Sequence, residues 1–176
     1  VKDLSLTWAY ADEHRATVGI TPPPAYSLAE NVWGYRSFAT TLPIRRDIVS
    51  SRDFGLRLDG PVGTSTVRYA VMLANNGTVQ PETDVQKRVY GRLHVRPTSR
   101  LLLVAGADHS GDSDARDRST RLSVFGGYST GRARIGGEGY WSRLTRTPGA
   151  DRTGIGGSVF AILQVAPAWE IVARID

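Results

Sequence analysis

Ten stretches of this chain alternate apolar and polar residues with period two, and that restricts the fold to β-strands with two unlike faces. In 88–96, Val89, Leu93 and Val95 oppose Arg88, Tyr90, Arg92, His94 and Arg96. In 51–59, Phe54, Leu56 and Leu58 share one face, and Asp53, Arg57 and Asp59 share the other. The 66–75 stretch sets Val67, Tyr69, Val71 and Leu73 against Arg68, Ala70 and Met72. In 132–141, Ala133, Ile135 and Trp141 lie opposite Arg132, Arg134, Glu138 and Tyr140. The last stretch, 169–176, alternates Trp169, Ile171, Ala173 and Ile175 with Glu170, Val172, Arg174 and Asp176. Weaker versions occur at 4–10, 15–20, 101–108, 120–128 and 152–163. No convincing helical period appears outside the first long loop.

The links between these strands alternate in length. Short links at 11–14, 60–65, 97–99, 129–131 and 165–168 are interleaved with long ones at 21–50, 75–84, 108–118 and 143–151. In an up-and-down meander successive links fall on opposite ends of the sheet. One end is therefore trimmed and the other elaborated, which is how outer-membrane barrels are built.

At 176 residues the chain has room for one domain, spanning 1–176 with its long loop at 21–50. It has no cysteine, so disulfides and thiolate metal sites are excluded. Its formal net charge is +5, and Lys2 and Lys87 are the only lysines among 22 basic residues. Arginine offers a fixed charge and a planar fork of donors suited to phosphate and carboxylate groups. These arginines are spread along alternate strand positions rather than gathered into one patch, which argues against nucleic-acid binding.

No segment reaches the roughly 18–20 apolar residues of a membrane helix, but a barrel strand needs only about 9–11 residues. No signal peptide is visible, and residues 1–3 lead directly into a strand. The 169–176 strand pattern stops without a turn, so the chain reads as a mature piece or a fragment of a larger sheet.

Alternation alone does not say which face is inside. A soluble lipocalin-like barrel turns its apolar face inward around a small apolar ligand and its arginines to water. An outer-membrane barrel does the reverse. Three features favour the second. Trp8, Tyr10, Tyr69, Tyr128, Trp141 and Trp169 sit near strand ends, where interfacial girdles lie. The apolar face is lean in large residues (Gly91, Ala133, Gly137, Gly139 and Ala173), which suits lipid better than a close-packed core. The link lengths alternate as described. The expected fold is an all-β, antiparallel, up-and-down transmembrane β-barrel of about ten strands, or part of a larger one.

The stretch 21–60 carries Thr21-Pro22, then Glu30-Asn31-Val32-Trp33-Gly34-Tyr35-Arg36, then Ser50-Ser51-Arg52-Asp53-Phe54-Gly55. Further on come 69–76, Lys87-Arg88-Val89-Tyr90-Gly91-Arg92, 106–111, Val124-Phe125-Gly126-Gly127-Tyr128 and the strand 169–175. Together these resemble the phosphate-selective porin O and P family of Gram-negative outer membranes. The resemblance implies a trimeric barrel of about sixteen or more strands that conducts small anions through an arginine- and lysine-lined constriction. The chain departs from it in having fewer strands, little lysine and no terminal aromatic residue.

On this reading Arg57, Arg68, Arg88, Arg92, Arg96, Arg132 and Arg134 line a lumen, and Arg174 shares their face. The alternative for the same arginines is balance by Asp53, Asp59, Glu138, Glu170 and Asp176 across neighbouring strands. Arg88, Arg92 and Arg96 recur every four residues, roughly 13 Å apart, and are the best candidates for an anion ladder. The 21–50 loop is too long for a connector. Folded inward, it narrows the lumen and presents Arg36, Arg45 and Arg46, with Trp33 and Tyr35 as wall anchors; otherwise it is an extracellular flap or a plug of the sheet edge. Asp108-His109 with Asp112 and Asp114 invites a rim-protease or calcium reading, but no second catalytic cluster accompanies it. Gly154-Ile155-Gly156-Gly157 sits inside a strand pattern with no helix following, so it is no nucleotide loop. The sequence therefore points to a non-enzymatic porin without cofactors in the outer membrane, passing small solutes with a preference for anions such as phosphate.

Overall fold

The computed structural model of the protein describes residues 3–37, 39–46, 48–76, 86–111, 117–146 and 149–176. Alternation produces strands throughout: β1 (Leu4–Ala11), β2 (His14–Thr21), β3 (Asp53–Val62), β4 (Thr64–Ala74), β5 (Lys87–Val95), β6 (Leu101–Gly111), β7 (Asp117–Ser129), β8 (Ala133–Arg146), β9 (Arg152–Ala166) and β10 (Trp169–Ile175). They form one ten-stranded sheet in sequence order, every neighbouring pair antiparallel. The all-β up-and-down architecture is the one that the sequence predicts. Among the described residues β1 and β10 pair only with β2 and β9, so the sheet has two free edges.

The short links do fall at one end of the sheet and the long ones at the other. Two long links are shorter than the sequence suggests, because their flanking strands keep pairing beyond the expected ends. Ser110 pairs with Ser119 and Gly111 with Arg118, while Asp117 pairs with Arg146 and Arg118 with Thr145. Most of the 75–84 link lies outside the described residues.

Period two then sorts the side chains. Leu6, Ile155 and Ile175 lie 72%, 82% and 74% exposed on one face, and Leu56, Val71, Leu93, Leu122 and Val159 are about half exposed on the same face. On the opposite face Ala70, Met72, Tyr90, Arg88, Arg92, Asp108 and Arg121 are buried. What buries them is the segment between β2 and β3, which folds back over the sheet and carries α1 (Pro24–Trp33) and the one-turn α2 (Leu42–Arg45). Proline at the start of each helix sets φ where no intrahelical N–H is needed. In α1, Tyr26, Ala29, Glu30 and Trp33 recur at helical spacing, and all four are buried against the wall. Gly34 ends the helix in the left-handed region at φ 75°, and its N–H reaches the Glu30 carbonyl at 2.8 Å.

Two apolar clusters seat the insert. Trp33 and Ala29 pack with Leu102, Val104, Phe125, Phe160 and Ile162, and Trp33 meets Phe160 edge-on at 5.0 Å. Tyr26 and Val49 pack with Met72, Ala74 and Tyr90. Gly136 makes the first cluster possible, because a Cβ there would stand 2.5 Å from the Phe160 ring.

Candidate functional site

The candidate site is the covered face of the sheet, where strand alternation delivers the arginines. At its long-link end, on β5, β6 and β7, Arg88 and Arg121 converge on Asp108. Arg121 Nε donates to Asp108 Oδ1 at 2.7 Å, and Arg88 Nη1 donates to the same oxygen. Arg88 also donates to Asn76 Oδ1 at 2.6 Å and to Ser110 Oγ at 2.8 Å. Beside this group, Tyr90 donates its hydroxyl proton to Asp53 Oδ2 at 2.8 Å, and the Phe54 N–H reaches Asp53 Oδ1 at 3.0 Å. Two buried arginines thus share the Asp108 carboxylate, with the buried Asp53 beside them. An adjoining recess of about 440 Å³ is lined by Arg88, Arg121 and Arg152 with Ser110, Ser119 and Ser142.

Lower on the same face the partners change. Arg92 Nη1 donates to the Pro24 carbonyl at 2.9 Å, while Arg92 Nε and His94 Nδ1 are buried without a hydrogen-bond partner among the described residues. Arg57 pairs with Asp59 at 2.9 Å, and Arg68 reaches Glu13. Toward β10, Arg134 pairs with Glu170 at 3.2 Å, and Arg174 meets Glu138 at 3.3 Å and Asp176 at 2.6 Å.

The expected Arg88, Arg92 and Arg96 ladder is therefore not a row of equivalent charges. Arg88 is bound to Asp108, Arg92 holds the insert, and Arg96 lies exposed beyond the end of β5, in the turn. Arg132 likewise sits exposed in the β7–β8 turn rather than in a strand. Carboxylates do balance Arg57, Arg134 and Arg174, but not across neighbouring strands: Arg57 and Asp59 share β3, and the other two pairs join β8 to β10 past β9. The sequence reading does not single out Arg121, and it weighs Asp108 only with His109 at the start of the 108–118 link; Asp108 instead sits at an inward position of the continuing 101–108 alternation, opposite Tyr90 and Arg121.

The insert lies over the arginine-bearing face of the sheet. Trp33 is buried with its Nε1–H on the Ala39 carbonyl at 2.7 Å, and the Tyr35 hydroxyl donates to Glu170. That hydrogen bond to a carboxylate is the main cause raising the Tyr35 phenol above its ordinary value. Of the three arginines expected on the insert, Arg36 pairs with Glu30 at 3.3 Å, Arg45 with Asp176 at 2.6 Å, and Arg46 is exposed. Burial pushes the Glu30 carboxyl up, and Arg36 and Arg52 pull it back only in part.

Asp108 and His109 are split by the strand. Asp108 faces inward to its arginines, while His109 lies exposed with its Nδ1 2.9 Å from Thr120 Oγ1. The pair therefore has no shared face on which to act. Asp112 and Asp114, the calcium candidates, lie outside the described residues. Among the described residues no group of three acidic or histidine side chains could hold a metal ion, and no helix is long and apolar enough to cross a membrane. The class that the fold defines is an all-β antiparallel meander with one face covered by its own insert. No protein-family model matches the chain, and no curated protein matches it.

Proposed function

We propose that the chain forms the wall of an outer-membrane pore that passes small hydrophilic solutes, with a preference for anions such as phosphate. The observation that carries this reading is the inverted distribution of side chains. Large apolar residues are exposed on the bare face of every strand, while arginines and aspartates are buried on the covered face. A soluble protein gains most by burying apolar area. A contiguous apolar band on nearly every strand suits hydrocarbon instead, with polar groups facing a lumen. Aromatic side chains Trp8, Tyr10, His14 and Tyr69 gather at the short-turn end of that bare face, where an interfacial girdle belongs. In lipid the free edges of β1 and β10 each need a strand partner.

The lean toward anions rests on the Arg88–Arg121–Arg152 recess, whose lining holds no carboxylate among the described residues. The resemblance to phosphate-selective porins supports the same direction, and a homotrimer is part of that proposal. The test is planar-bilayer conductance of the folded protein under a salt gradient. An anion-directed reversal potential is expected. A cation-directed potential, or no channels at all, overturns the proposal; a detergent-free monomer that takes up an apolar ligand favours the lipocalin-like alternative.

A further inference from the structure

The insert is held to the wall by more than apolar contact. On β8, Glu138 Oε1 accepts the Leu42 N–H at 2.7 Å and lies 3.3 Å from the Arg174 guanidinium. On β10, Arg174 Nη1 donates to the Thr40 carbonyl at 2.9 Å, and its guanidinium carbon stands 5.2 Å from the centre of the Trp33 ring. Asp176 accepts from Arg174 Nε at 2.6 Å and also receives Arg45 at 2.6 Å. Glu138 and Arg174 each retain only 10% exposure. The wall thus reads the backbone of 40–42, one N–H and one carbonyl, with two charges that neutralise each other. A buried backbone group must find a partner, and a buried charge left without one is costly. Lifting this stretch strips both sides at once.

We propose that Glu138 and Arg174 are positioning residues that latch the 39–45 stretch against β8–β10, and so set the bore and charge of the lumen. The proposal rests on the pore reading above. Latching covers much of the wall and leaves three cations of the insert in reach of solvent: Arg36 and Arg45, ion-paired to Glu30 and Asp176 yet 38% and 57% exposed, and the exposed Arg46. Release widens the path and moves these cations away from it. Conductance then rises while anion preference falls, a combination that a purely stabilising contact does not produce.

Thr41 supplies the reporter. It is buried within the latch, its hydroxyl has no hydrogen-bond partner among the described residues, and the chain contains no cysteine, so Thr41→Cys introduces a unique thiol. Labelling by a membrane-impermeant maleimide is measured on full-length protein that retains its heat-modifiable gel mobility. Glu138→Gln and Arg174→Gln in the Thr41→Cys background are each expected to accelerate labelling about tenfold or more by raising the open population. Arg174→Lys keeps the charge and restores slow labelling in part. The same variants are then compared in bilayers for conductance and reversal potential. Unchanged labelling in both glutamine variants overturns the latch, whatever the bilayers show. Accelerated labelling with no channels from any variant keeps the latch and defeats the pore reading. Accelerated labelling with unchanged conductance and selectivity overturns the claim that the latch sets the lumen.

Discussion

Two arginine clusters share one face of the sheet and do different work. Around Asp108, the arginines of β5 and β7 close on a carboxylate of β6, strand knitted to strand, with hydroxyl and amide oxygens filling the remaining donor positions. Around Glu138, the arginine of β10 spans to β8 and then turns outward, onto the backbone and the indole of the insert. The first cluster ties the wall together. The second ties something to the wall. The same residue types at the same strand parity therefore carry opposite consequences for what stays fixed and what can leave.

The comparison breaks most visibly at Asp108. Asp108→Ala leaves two buried guanidiniums without their carboxylate and is expected to cost about 3–5 kcal/mol in urea unfolding from detergent. The loss falls on the whole sheet, so β-signal and gel mobility change together. A variant that keeps a full-strength sheet and merely exposes Thr41 would erase the distinction between the clusters. Trp33→Ala comes next, at about 3 kcal/mol for an aromatic ring removed from a packed cluster. Here the loss falls on docking: thiol labelling at Thr41→Cys accelerates while the sheet persists, and cooperative loss of both would argue that wall and insert are one unit.

The smallest effect is a pH dependence at Glu30. Its folded carboxyl is raised, chiefly by burial, so protonation favours the docked form. That stability is fully present below the unfolded value and is lost as pH rises through the raised folded value. Docking is thus tightest in mild acid, and Glu30→Gln removes the slope. The Thr41→Cys labelling rate is therefore read as a ratio to that of an exposed cysteine at the same pH, since only the thiolate reacts; a ratio that is flat across this range, or that rises on acidification, contradicts the assignment.

The two faces were legible from sequence because a strand's period is two, and no register is needed to see which residues travel together. Arg57, Arg68, Arg88, Arg92 and Arg134 all stand where alternation puts them. Their partners were not legible, since pairing Asp108 with Arg88 and Arg121 depends on registers that only the folded sheet fixes. Arg96 and Arg132 stand one residue outside β5 and β8: the Arg96 N–H still reaches the Thr66 carbonyl at 3.0 Å and the Arg132 carbonyl accepts from the Gln164 N–H at 2.8 Å, but both side chains are exposed at the turns. The bounds of α1 were not legible because three consecutive prolines, Pro22 to Pro24, lead into it and its ten residues leave few turns for the apolar stripe to stand out. Gly136 carries no pattern at all, and its purpose appears only once Phe160 lies over it.

The span of the latch across the chain has a consequence for how the molecule assembles. Each strand pairs with the one just before it, so the sheet can zip forward hairpin by hairpin with little loop-closure cost. The insert, made early between β2 and β3, finds Glu138, Glu170 and Arg174 only after nearly all of the chain exists. Its docking is therefore the last event, and a refolding experiment should see the thiol at Thr41→Cys close in a phase slower than formation of the sheet.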